Sequence, residues 1–249
     1  MPGVSLRIPA CSPLAADQPA GYRGGMRSAN PGLLVVAATV DRFDDIATML
    51  APKSPGVVAC WCLTYRLDSA TNRSLSADER RETARSLSAG PIAPGVLAYD
   101  GDQVVGWAAV APRRDVRGID GNSKIPEVDD LPVFSLWCLK VRPGHRGQGI
   151  AAALIDGAVR FAFEHGAPAV ESYPIDNHGQ RVDTTSAFVG TRALFEAAGF
   201  EKVADTGSTS ARIPRILMRR RADGPAPAES GDGNRAETVA HGDFPASRP

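Results

Sequence analysis

The chain is 249 residues long and 43% hydrophobic, with 28 lysines and arginines against 28 aspartates and glutamates. That length can bury the core of one domain with tails, and the balanced charge offers no overall field toward nucleic acid or an anionic membrane surface. No run approaches the roughly 20 apolar residues of a membrane span, no basic start precedes an apolar run as in a secretory signal, and Cys11, Cys60, Cys62 and Cys138 are too scattered for a disulfide scaffold, so reduced thiols and a cytoplasmic protein are expected.

Residues 1–31 mix Pro, Gly, Ser and Ala without apolar periodicity and are expected to form a disordered tail, with Met26 a possible alternative start. Residues 33–38 read as a buried strand. Asp41 is expected to cap a helix through Leu50, with Phe43, Ile46 and Leu50 inward and Pro52 ending it.

Residues 56–67 are rich in Val, Cys, Trp and Tyr and fit either a strand or a buried helix. In a strand Cys60 and Cys62 would point to one face; no second Cys or His pair accompanies them at zinc-site spacing. Ser76 stands three residues before Glu79, a capping-box pattern that predicts an exposed helix over 76–87. Strands at 96–99 and 103–110 flank Asp100-Gly101, a hairpin dipeptide chosen for positive backbone φ.

Residues 133–141 are apolar on both alternating faces, as in a strand covered on both sides. Over 150–165 Ile150, Leu154, Ala158 and Phe161 fall on one helical face and Asp156, Arg160 and Glu164 on the other, with Gly166 as the stop. A strand at 169–173, a loop, a short helix from about Thr191 to Gly199-Phe200, and strands at 201–204 and 212–218 complete a three-layer α/β domain over 32–220. Residues 221–249 return to tail composition.

The segment Leu139-Lys140-Val141-Arg142-Pro143-Gly144-His145-Arg146-Gly147-Gln148-Gly149-Ile150-Ala151 runs from a buried strand through a glycine-bearing loop into a helix. A helix start presents free N–H groups and the positive end of the helix dipole, so a pyrophosphate is a natural ligand. Gly147 and Gly149 would let phosphate oxygens approach the backbone.

Arg146-Gly147-Gln148-Gly149-Ile150-Ala151 resembles the acetyl-CoA signature of the GNAT acyltransferases: Arg or Gln, two variable positions, Gly, one variable position, then Gly or Ala. The Leu-x-Val-x-Pro strand end before it, the amphipathic helix behind, the upstream Asp-Gly hairpin and the downstream Leu194-Phe195-Glu196-Ala197-Ala198-Gly199-Phe200 stand in the family's order, so the resemblance covers about 33–220. It implies a GNAT-like fold, a central mixed twisted sheet flanked by helices with a V-shaped opening between its two central strands. It also implies acetyl-CoA as acyl donor, with the backbone of Leu139, Lys140 and Val141 along the pantetheine arm, Arg146 through Ala151 (Gly147, Gln148, Gly149 and Ile150 between them) on the pyrophosphate, and Asn177 as a loose match for an arm contact.

An acyl transfer to a primary amine must remove a proton, since such an amine, with a pKa of about 10, is mostly charged at neutral pH. The oxyanion needs donors and the departing thiolate a proton. Glu171 is the candidate base if it faces the cleft, and Tyr173 the nearest phenol to act as acid, because Phe195 stands where many family members carry a Tyr. Trp61, Tyr65, Arg66 and Trp107 are candidates for an acceptor pocket against the alternative of core packing, Cys138 reads as a small buried hydrophobe, and His145 as a loop-shaping residue. Glu127, Asp129 and Asp130 could form an acidic rim that favours cationic amines, and the long loop 176–190 could border the pocket.

The expected function is transfer of acetyl from acetyl-CoA to a small-molecule amine or protein lysine, by a monomer or homodimer. The alternative is a non-catalytic acyl-CoA-binding module, kept open by Phe195. A dinucleotide site is disfavoured, because no full Gly-x-Gly-x-x-Gly follows the first strand.

Overall fold

The computed structural model describes residues 32–54, 57–180, 182 and 188–223; the expected N-terminal tail, Met26 and the C-terminal stretch beyond Asp223 lie outside them. Seven strands form one sheet: β1 (Leu33–Ala37), β2 (Gly95–Asp100), β3 (Gln103–Pro112), β4 (Phe134–Val141), β5 (Ala169–Ser172), β6 (Glu201–Ser210) and β7 (Ile213–Arg221). Their spatial order is β1-β2-β3-β4-β5-β7-β6, with every pair antiparallel except β4 and β5. The helices are α1 (Phe43–Leu50), α2 (Leu63–Arg66), α3 (Ser69–Ser74), α4 (Ala77–Ser88), α5 (Ile150–Glu164) and α6 (Arg192–Ala197). Among the described residues no helix is long and apolar enough to cross a membrane.

Strand alternation sends side chains to two cores. Val96, Ala98, Ala108, Phe134, Leu136, Val170 and Met218 meet α5, Phe195 of α6 and Phe200 just beyond it on one face. Leu97, Trp107, Ala109, Trp137, Tyr173 and Leu217 meet α1, α2 and α4 on the other. These two layers over one sheet are the expected mixed α/β architecture. Helix α5 lies close to the sheet because Gly157 leaves no Cβ where Val35 sits.

Local expectations fare unevenly. The capping box forms, with Glu79 N–H on Ser76 Oγ at 3.3 Å and Ser76 N–H on Glu79 Oε2 at 2.8 Å. Asp41 does not cap α1: it lies inside a 3-10 turn, Val40–Arg42, and its carboxylate bonds Arg42 Nη1 at 2.6 Å. The hairpin turn is Gly101-Asp102, one position later than the dipeptide reading, since Asp100 pairs with Gln103 and Gly101 takes φ +56°. The ambiguous stretch resolves into loop and the short α2, and consecutive left-handed residues, Trp61 at φ 51° and Cys62 at φ 57°, rule out the strand that would have aligned Cys60 with Cys62. Strand β6 runs to Ser210 rather than stopping near Ala204, and Arg221, expected in the tail, pairs with Ala169.

Candidate functional site

The site begins with an irregularity in β4. Cys138 pairs with Ala109 and Leu136 with Val110, which leaves Trp137 as an extra residue, a β-bulge. Trp137 and Cys138 consequently both face the α1–α4 side, and Leu139 and Val141 pass to the α5 side. On its other edge β4 pairs with β5 at three positions only: Phe134 with Val170, Ser135 with Glu171 and Leu136 with Ser172. Beyond them the strands part. The Leu139 N–H donates to Phe188 O at 2.8 Å, while Ile175, just past β5, bridges Thr191 on one side and Arg215 on the other. The stretch 188–191 therefore lies in the gap between the parted strands. The Arg142 N–H points back to Val105 O on β3, so alternation turns the Val141 N–H toward the gap.

From the end of β4 the chain enters an exposed loop. Gly144, Gly147 and Gly149 have φ of +89°, +76° and +76°. A Cβ at any of them would meet nothing within 4 Å, so glycine is required by conformation and leaves an open approach. The loop braces itself through His145 N–H on Arg142 O at 3.1 Å and Gln148 Nε2 on Gly144 O at 3.4 Å. Gly149 is the N-cap of α5 and no side chain caps it. The first-turn amides at Ile150 and Ala151 thus remain without intrahelical partners, at the positive end of a 15-residue helix. Arg146 is exposed and, among the described residues, in no ion pair. Lys140 sits opposite Trp107, its side chain on the α1–α4 face and away from the loop.

Glu171 and Tyr173 lie together in a buried network. Glu171 is 0% exposed and accepts from Arg113 Nη1 at 2.7 Å, from Arg219 Nη2 at 2.7 Å and from Tyr173 Oη at 3.2 Å. It faces the α1–α4 side at the closed end of the β4–β5 pair, and both of its oxygens are engaged. Tyr173 is equally buried, shares a hydrogen bond with Ser135 Oγ at 2.9 Å, and burial pushes its phenol well above the usual range, Glu171 adding to the effect. Of the expected acidic rim, Asp129 binds Arg219 at 2.5 Å and Arg221 at 3.6 Å and Glu127 is 3.9 Å from Arg113, while Asp130 is exposed.

On the acceptor side Trp61 and Trp107 are 5% and 2% exposed, with Trp61 stacked on Phe43 at 6.0 Å. The cavity they line with Arg66, Cys62 and Trp137 holds about 10 Å³, the size of one water. In this conformation they are core residues. Tyr65 does not line that cavity; its hydroxyl accepts from Arg215 Nη1 at 2.7 Å. Asn177 spends its side chain on Gln180 O at 2.5 Å in a turn of its own. Phe195 is buried edge-to-face against Phe200, centroids 5.0 Å apart. The loop expected to border the pocket lies partly outside the described residues.

Sequence reasoning missed Arg113, Arg215 and Arg219. For Arg215 and Arg219 the available signal was their alternation with Leu217 along β7, which places these three residues on one covered face.

The model of the acetyltransferase (GNAT) family matches residues 61–200. No curated protein matches the chain. Among solved structures, one described as an acetyltransferase is similar at 19% identity and TM-score 0.49, over 76% of this chain and 98% of that one. The yncA protein of Salmonella typhimurium, solved with acetyl-CoA, is similar at 15% identity and TM-score 0.44, over 80% and 98%. The paia N-acetyltransferase of Thermoplasma acidophilum, solved with coenzyme A, is similar at 11% identity and TM-score 0.42, over 76% and 98%.

Proposed function

The chain belongs to the acetyltransferase (GNAT) family, whose acyl donor is acetyl-CoA, and from that premise we propose that it transfers acetyl to a primary amine by direct attack in a ternary complex. The observation that carries the reading is the uncapped start of α5 behind three left-handed glycines, directly after the strand whose edge is freed by the parting of β4 and β5.

The residues present fit the donor. The amides of Gly147 through Ala151 and the exposed Arg146 suit a pyrophosphate, and Val141 offers a main-chain donor into the gap. Bound there, acetyl-CoA would supply an activated thioester carbonyl. The chain's own part is to hold that carbonyl among backbone N–H groups and to exclude bulk water behind Trp137 and Cys138. Glu171 and Tyr173 serve as structural members of a buried network, and the amine proton leaves by another route.

The test is thiol release from acetyl-CoA across a broad amine and peptide panel, with binding of CoA followed by calorimetry. Saturable CoA binding with amine-dependent thiol release supports transfer. A second reading, a non-catalytic acyl-CoA-binding module, is favoured by one observation: the expected base is locked in ion pairs and Phe195 carries no proton. It predicts CoA binding without turnover on any member of the panel.

A further inference from the structure

The buried arginines on the α1–α4 face differ in one respect. Arg113 and Arg219 are both matched by carboxylates, Glu171 between them and Asp129 beyond. Arg215, on the same face of β7 and 2% exposed, has no carboxylate in ion-pair range among the described residues. Its Nε donates to Tyr173 O at 2.8 Å and its Nη1 to Tyr65 Oη at 2.7 Å, with the guanidinium 5.5 Å from the centre of the Tyr65 ring. The buried Nη2 has no acceptor among the described residues.

The next residue along α2 repeats the deficit. Among the described residues Arg66 Nη1 is buried without an acceptor, and the carboxylate paired with this guanidinium, Asp115, stands 3.9 Å away. Burial depresses the pKa of Arg66, an effect that Asp115 only partly offsets. A cation taken out of water without a counter-charge is unfavourable unless the counter-charge arrives with a ligand. Position points the same way: Ile175 bridges Arg215 on one side and Thr191, in the gap beside β4, on the other. Of the acidic groups that could have drawn a plain cationic amine, Glu127 and Asp129 meanwhile face Arg113, Arg219 and Arg221.

We propose that Arg215, together with Arg66, is the receptor for a carboxylate on the acceptor, so that the acceptor is an amine bearing an acid group, of the amino-acid class, and not a simple polyamine. This rests on the acetyl-transfer reading above. A guanidinium with a free Nη edge suits a planar carboxylate, which it can meet with directional hydrogen bonds that a lysine cannot reproduce.

The experiment uses the full chain saturated with CoA and titrates it calorimetrically with the common N-acetyl amino acids, each paired with the N-acetyl amine that lacks the carboxylate. At least one acid is expected to bind tenfold or more tightly than its partner, and Arg215→Met to erase that difference with CoA affinity unchanged. Arg215→Lys, which keeps the charge if Met at this buried position fails to fold, is expected to retain only part of it, and Arg66→Met to weaken it. Absence of binding by every acid, equal binding of the paired amine, or a preference that survives Arg215→Met would overturn the proposal. Failure of CoA itself to bind is read in the same titration and would remove the donor site, and this inference with it.

Discussion

Arg113 Nη1 lies 2.7 Å from Glu171 Oε2, and Arg219 Nη2 lies 2.7 Å from the same carboxylate's other oxygen. The three side chains tie the end of β3, β5 and β7 together on a face with no solvent. Removing the shared anion leaves two buried guanidiniums facing one another, a loss of about 3–5 kcal/mol for a broken buried pair. Glu171→Gln, which keeps the shape, is therefore expected to lower Tm by on the order of 10 °C and to leave turnover per folded molecule unchanged. A rate loss of a thousandfold at unchanged Tm would instead restore Glu171 as a base.

The edge of this network carries a pH signature. The hydrogen bond from Arg219 holds the Asp129 carboxyl below its ordinary value of 3.8. A depressed carboxylate contributes stability that is full above its unfolded value and is lost as pH falls through the folded one. The Tm difference between wild type and Asp129→Asn should be present at neutral pH and shrink below about pH 4. A difference that grows as pH drops from 4 would contradict the pairing.

Much of this was readable in the residues. The capping box at Ser76, the face of α5 and the loop glycines each follow from a local rule, so the loop in which the donor site is proposed could be located from residues 139–151 alone. Glu171 and Trp107 could not be placed that way. Whether a strand carboxylate meets a cleft or two arginines depends on Arg113 and Arg219, 58 and 48 positions away in sequence. The bulge at Trp137 likewise reverses which face Cys138 joins, and nothing within β4 announces it.

Gly147 separates conformation from contact. With φ +76° and open space where a Cβ would stand, Gly147→Ala costs only the left-handed backbone penalty of about 1–2 kcal/mol. A modest Tm loss of about 2–8 °C should accompany it, whereas CoA affinity should fall by roughly tenfold or more, because the methyl group obstructs an approaching phosphate. Calorimetry with CoA decides this, and unchanged affinity would move the pyrophosphate elsewhere.

The thiols should differ in reactivity. Cys60 is exposed, whereas Cys62 sits 3.1 Å from Cys138 Sγ and accepts from Trp107 Nε1 at 3.1 Å. The hydrogen bond with Cys138, then burial, push the Cys62 thiol well above its usual range, so little of it is thiolate at pH 8. Peptide mapping after limited alkylation at that pH should find Cys60 modified at least about tenfold faster than Cys62, since the thiolate is the reactive form. Equal rates would show that the wall between α2 and β4 opens readily.

The Leu139 amide is held by Phe188 O at 2.8 Å, on the edge of β4 where the donor's arm is proposed to lie. Two acceptors cannot both occupy one N–H at full strength, so an arm bonded to Leu139 must displace the 188–191 stretch from it. That stretch is also tied to Ile175, whose N–H donates to Gly190 O at 3.2 Å and whose carbonyl accepts from Arg192 N–H at 3.0 Å. Displacement should loosen those bonds together. Hydrogen exchange with and without acetyl-CoA is expected to leave Leu139 protected in both states and to speed exchange at Ile175 and Arg192 on binding. If both slow instead, the 188–191 stretch stays in place, and the arm engages Val141 alone.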